Sequence, residues 1–414
     1  MSPRFNLGLL CLLLSGACGD SSSSSNPAPI ESGTEDALAD ADQGSDGEQE
    51  RWDVNRKPGG DASEAVEDGL DAGGGAVEIA EPPAIPQFGV NGEVTYRLLL
   101  GEPWVYEPTD LEFDPYHPDR LWVTSRGDDA FVALTVGAEG QGLPAKFTDY
   151  YHTYADGVSS LAFSENNTFA SCQESLNTYN GAWEGDGKAG ASLWPADPEA
   201  FEVGQGSTPG GALLDNLNGS ALCMGIAWLH DHAFYLFDGE HGDLKLFDFQ
   251  RPSVPGEVNP AGGIKYRILK GELIREPGVP SHMFFHSPSR RLLFTDTGNH
   301  RILWLDVDSG EPGTSIFNNP DIGTRYKKWV NPIWGEWETD APFVLPSGIV
   351  VRGDRVFVSD HATGIIYGLD MEGNVLSELD TGRGFGAISG LEIDPQGRLL
   401  FVDMAANEVI RVEP

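Results

Sequence analysis

FTDTGNHRILWLD, Phe294–Asp306, sets two short apolar runs either side of a polar turn. Each run ends in Asp. Apolar segments joined by Asp, Gly and Asn read as a β-hairpin. A carboxylate at Asp296 suits the end of the first strand, because it can accept N–H groups from the turn behind it. Gly298 and Asn299 are expected to supply the positive φ that such a turn needs. His300 and Arg301 then fall on the turn surface. On this reading His300 is turn chemistry.

The hairpin belongs to a longer unit that recurs. VPSHMFFHSPSRRLLFTDTGNHRILWLD (Val279–Asp306) aligns with LPSGIVVRGDRVFVSDHATGIIYGLD (Leu345–Asp370) and AISGLEIDPQGRLLFVDMAANEVIRVE (Ala387–Glu413). A fourth copy is LCMGIAWLHDHAFYLFDGEHGDLKLFD (Leu222–Asp248), and weaker copies start at Glu107 and Gly157. Asp238, Asp296, Asp360 and Asp403 share one slot, filled by Ser125 and Gln173 in the weaker copies. A residue type repeated copy after copy points to repeated structure.

The third residues of the opening strands are Asp110, Ser160, Gly225, His282, Gly348 and Gly390, separated by 50, 65, 57, 66 and 42. A period of about 40 to 50 residues, stretched by insertions, predicts a propeller, and six copies predict six blades of about four strands each. TYRLLLGE (Thr95–Glu102) echoes KYRILKGE (Lys265–Glu272). The second should be the outer strand of the third blade. The first is then an outer strand with no blade before it. It is expected to complete the last blade, closing the ring so that no sheet edge stays open.

DTGNHRILWLD resembles the NHL repeat, a family of mostly six-bladed propellers. The resemblance is strongest over 224–413. It implies an all-β, six-bladed propeller over 91–414, with ligands taken on the face that carries the turns after the Asp slot.

The 414-residue chain carries a formal charge of -38. Such an acidic balance, without a long basic cluster, argues against nucleic acid. Residues 1–17 read as an export signal: Arg4, then an apolar LGLLCLLL run too short to span a bilayer. SGAC, ending at Cys18, resembles a bacterial lipobox, with Ser15 in place of the usual Leu or Val. It implies lipidation of Cys18 and a lipid-anchored place at the cell envelope. Residues 18–86 are rich in Ser, Asp, Glu, Gly and Ala and read as a disordered acidic tether. Cys172 and Cys223 are the cysteines left in the body, and export invites a disulfide between them.

Candidate binding residues on the channel face are Asp110, Gln173, Glu174, Asp238, His282, Asp296 and Asp360. His282 differs from its small equivalents, and blades one and four place it diametrically opposite Asp110. With His241 these make a candidate site for a divalent cation, calcium or zinc. Peptide-amidating lyases are similar propellers with His-ligated zinc, but Gly225, Gly348 and Gly390 stand where further His ligands would be needed. LPSGIVVRGDRVFVSD resembles a cation-binding segment of gluconolactonase-like hydrolases, where Asp360 fits and Ser347 replaces the expected Asn. Without a catalytic constellation, the leading expectation is a monomeric binding module for a small molecule, glycan or protein. The alternative is a divalent-metal hydrolase or lyase. The insertion around Tyr326–Phe343 brings Trp329, Trp334 and Trp337, expected to cover a blade edge.

Overall fold

A computed structural model describes residues 94–137, 142–148, 154–164, 167–176, 190–201, 212–251, 262–317, 321 and 323–413. The export signal, Cys18 and the tether lie outside the described residues. Six antiparallel blades make the ring. Their innermost strands are Pro108–Phe113, Val158–Ser164, Cys223–His230, Met283–His286, Pro346–Arg352 and Ile388–Ile393. Each inner strand packs on the next, and the sixth on the first.

The ring closes as its sequence echo predicts. Thr95–Leu100 pairs antiparallel with Glu408–Glu413, Thr95 opposite Glu413, and so becomes the outer strand of the last blade. Ile264–Leu269 is the outer strand of the third blade proper. The insertion adds to that same blade. Arg325–Val330 runs parallel to Ile264–Leu269, and Glu311–Ser315 pairs beyond it, giving a six-stranded sheet. Trp329 meets Tyr266 edge-on, ring centroids 5.0 Å apart, so this tryptophan covers the edge of the blade.

Cores form between neighbouring blades, because every sheet has an apolar face to bury on each side. Between blades one and two lies an aromatic cluster of Trp122, Phe131, Phe147, Phe169, Trp194 and Phe201. Near the channel the blades are stitched by the residue one before each third position. Thr109 Oγ1 donates to the Val158 carbonyl at 2.8 Å and Ser159 Oγ to the Cys223 carbonyl at 2.7 Å. Ser281 N donates to the Met224 carbonyl at 2.8 Å, and Ser347 Oγ to the Pro280 carbonyl at 2.7 Å. The glycines belong to this belt: a Cβ on Gly225 would stand 1.9 Å from the Ser281 carbonyl oxygen. Ser347 therefore serves as an inter-blade clasp. Cys172 and Cys223 form the disulfide, joining blades two and three with Cα atoms 5.4 Å apart.

Candidate functional site

The Asp slot is a turn device. Asp238 Oδ1 accepts the N–H groups of Glu240 at 3.0 Å and His241 at 3.2 Å. Asp360 Oδ1 does the same for Ala362 and Thr363, and Asp403 Oδ1 for Ala406. The left-handed residue comes four positions after the slot: Asp129, Gly242, His300, Gly364 and Asn407. Gly298 and Asn299 therefore do not carry the positive φ. His300 does, at 60°, and it ends the short helical turn Thr297–Asn299. Gly298 is needed for another reason, since a Cβ there would lie 2.6 Å from Ile274. His300 Nδ1 also bonds the Val344 carbonyl.

Most slot carboxylates have a cation beside them. Asp296 pairs with Arg301 at 2.9 Å and takes the Asn299 amide at 2.8 Å and the Ile274 N–H at 2.8 Å. Asp403 pairs with Arg383 at 3.0 Å. Asp238 holds Lys245 at 2.5 Å and His241 at 3.0 Å, and Lys245 Nζ also donates to the Gly219 carbonyl. Burial alone would raise the Asp238 carboxyl, but His241 and Lys245 outweigh it and hold it below its ordinary value. The Asp238 hydrogen bond in turn pushes His241 up to about 9. Asp360 accepts the Val344 N–H instead. Gln173 donates to Ser192 Oγ at 3.0 Å and to the Tyr154 carbonyl.

Glu174 sits almost wholly buried and pins three loops. It accepts Arg126 and Arg275, each at 2.7 Å, and the Gly278 N–H at 3.0 Å. Arg126 reaches on to the Gly278 carbonyl at 2.9 Å. The segment between blades three and four is thereby tied to blades one and two.

The structure brings His282 and Asp110 together, Nε2 to Oδ1 at 3.3 Å, across the ring from blades four and one. The other Asp110 oxygen accepts Ser160 Oγ at 2.8 Å and the Leu161 N–H at 2.9 Å. His282 Nδ1 faces the Ser347 carbonyl at 3.2 Å. A carbonyl only accepts, so Nδ1 carries the proton. His241 is not brought to this pair; it stays with Asp238. Among the described residues no three His, Cys, Asp or Glu are grouped to hold a metal ion.

Two residues that motif reading passed over also face the channel. Glu112 and Glu392 lie two positions beyond Asp110 and Gly390 on their inner strands. Burial, then the charges of Glu392 and Asp110, pushes the Glu112 carboxyl well above its usual range. Burial pushes Glu392 to about 8, with Asp110 adding to it. The signal was the paired Leu-Glu of TDLEF and SGLEI, which no other inner strand carries.

The loops entering the inner strands present exposed apolar side chains on the face of the slot turns: Trp104, Tyr106, Ile274, Val344 and Phe385, the last 78% exposed. Three of them stand against a slot turn. Tyr106 lies over Gly127 and Ile274 over Gly298, and the Phe385 ring stands 6.4 Å from His361.

No family model matches the chain, and no curated protein matches it. Solved structures similar to it include an auxiliary nutrient binding protein from Bacteroides ovatus, at 13% identity and TM-score 0.48, covering 80% of this chain and 76% of that one. Another is virginiamycin B lyase from Staphylococcus aureus, at 12% identity and TM-score 0.46, covering 78% and 100%. A third is a nidogen/laminin complex, at 13% identity and TM-score 0.44, covering 68% and 83%. Among the described residues no helix is long and apolar enough to cross a membrane.

Proposed function

We propose that the chain is an NHL-type propeller, exported on residues 1–17 and lipid-anchored at Cys18, that works as a monomeric binding module. It takes a partner on the face of the slot turns. One observation carries the reading: that face exposes an apolar crown of Trp104, Tyr106, Ile274, Val344 and Phe385, while its carboxylates are already committed inside the protein. Aromatic and aliphatic anchors within a polar rim are how partner surfaces gain affinity. The metal-dependent hydrolase or lyase is the rival, with calcium or zinc at His282 and Asp110. It needs a third converging ligand, and Asp238 claims His241.

The test is photo-crosslinking in the native envelope with the full chain. A crosslinker at Phe385 should capture one discrete species, lost on Tyr106→Ala, while one at Tyr116 on the opposite end captures nothing specific. Equal capture from both ends, or none from Phe385, would sink the module. Palmitate labelling that survives Cys18→Ser would remove the anchor. A near-stoichiometric transition metal, lost on His282→Ala, would favour the rival.

A further inference from the structure

Side chains of an inner strand enter the channel at every second residue. One step beyond Asp110 and Gly390 the inner strands of blades one and six carry Glu112 and Glu392, whereas Ala162, Phe284 and Val350 at matching steps of other blades pack in the cores between blades. A backbone N–H holds one oxygen of each glutamate: Phe163 on Glu112 at 2.8 Å and Ile393 on Glu392 at 2.6 Å. Both glutamates keep intermediate exposure although protein surrounds them, as residues facing a narrow lumen do. Neither forms an ion pair among the described residues.

His282 supplies a second, independent observation. It is only 5% exposed, and its Nε2 has no hydrogen-bond partner. Nδ1 is taken up by the Ser347 carbonyl, which leaves Nε2 as the ring nitrogen available to a ligand. It stands 3.3 Å from Asp110 Oδ1, without the alignment of a hydrogen bond. A buried polar atom left without a partner is costly, so a ligand group that satisfies it is favoured.

We propose that the lumen bounded by Asp110, His282, Glu112 and Glu392 binds an organic ammonium ion, entering from the end of the ring opposite the slot turns. The site offers three carboxyl groups and an imidazole nitrogen, so it suits positive charge and N–H donors. An ammonium group brings both. A metal ion fits less well, since its ligands must close to roughly 2.0–2.6 Å and no three ligands here are grouped for that. The opposite entrance is obstructed: Glu174 ties Arg126, Arg275 and Gly278 on the slot-turn face. At the proposed mouth, the carbonyls of Asp394 and Pro395 hold the Arg352 guanidinium.

The lumen site is separate from the crown, so either can fail alone. The experiment titrates the full chain by calorimetry with methylammonium, butylammonium and phenethylammonium, each against the alcohol of the same skeleton. At least one ammonium should bind, with its alcohol weaker by about tenfold or more, the worth of one charged hydrogen bond. Glu112→Gln and Glu392→Gln should each weaken that ammonium by a similar factor while the circular dichroism spectrum is retained. Phe385→Ala should leave it unchanged. The proposal is overturned if no ammonium outbinds its alcohol, if both Gln variants bind as well as the parent, or if calcium or zinc binds at the site and ammonium does not.

Discussion

Two sets of carboxylates sit within one ring, and they are built on opposite principles. At the slot, Asp238, Asp296 and Asp403 each accept bonds within their turn and have Lys245, Arg301 or Arg383 beside them. In the lumen, Asp110 faces His282, while Glu112 and Glu392 are buried near Asp110 with no ion pair among the described residues. The chemistry of the carboxyl group is shared, and the environment decides the charge. A slot acid with a cation favours its ionised form, whereas burial beside like charge favours the proton. The first set holds the scaffold together.

The sharpest way to break the contrast is to take the cation from a slot acid. Lys245→Met keeps the length of the side chain and removes the charge that faces Asp238. Asp238 would keep its turn bonds and His241, but it would lie buried with its main counter-charge gone. Breaking a buried pair in this way costs about 3–5 kcal/mol. Urea unfolding should show a loss near that size, with part recovered in Lys245→Met/Asp238→Asn. A loss below about 1 kcal/mol would place Asp238 among ordinary surface pairs instead.

The scaffold was readable in the sequence because its physics is local and repeated. The Asp slot needs only the turn that follows it, so four aspartates in register announce four hairpins. The outer strand at Thr95–Leu100 was readable because KYRILKGE echoes it. His300 was read correctly as a turn residue, but its left-handed φ was assigned to Gly298 and Asn299. The glycine is there for close approach to Ile274, which no local pattern reveals. The lumen was harder to read for a related reason. Whether Asp110 meets His282, or Glu112 feels Glu392, depends on how six separate strands converge. His241 was read as a third ligand beside His282 and Asp110, but Asp238, three residues before it, holds its ring. Nor could the commitment of Glu174 to Arg126 and Arg275 be seen, because those partners come from distant loops.

A milder perturbation sharpens the lumen side of the comparison. Glu392 titrates near 8 when folded, against an ordinary 4.5. The folded state therefore binds this proton more tightly than the unfolded chain. Stability must fall as pH rises from 4.5 toward 8, and the loss is complete above 8. Glu392→Gln removes the charge and keeps a carbonyl for the Ile393 N–H. Parent and variant should unfold at similar temperatures at pH 4.5. By pH 8.5 the variant should be the more stable, by on the order of 1–2 kcal/mol once local relaxation discounts the full shift. Parallel curves across that range would mean that Glu392 ionises freely and that the lumen is wetter than its lining implies.

The smallest effect belongs to His241 and has a distinct pH window. Its folded value near 9 lies above the ordinary 6.5 because Asp238 favours the charged ring. A base raised in this way stabilises fully below about 6.5, and its contribution is lost as pH climbs through 9. The side chain is 34% exposed, so water screens the pair and the worth is about 0.5 kcal/mol. His241→Gln should lower the urea midpoint slightly at pH 6 and leave it unchanged at pH 10. The order of the variants separates the two carboxylate sets. Removing a cation from the slot hurts at low pH, whereas removing a charge from the lumen helps at high pH. If His241→Gln were neutral at pH 6 while Lys245→Met stayed costly, Lys245 alone would carry the charge balance of that slot. His241 would then be a turn residue that happens to lean on an acid, as His300 leans on the Val344 carbonyl.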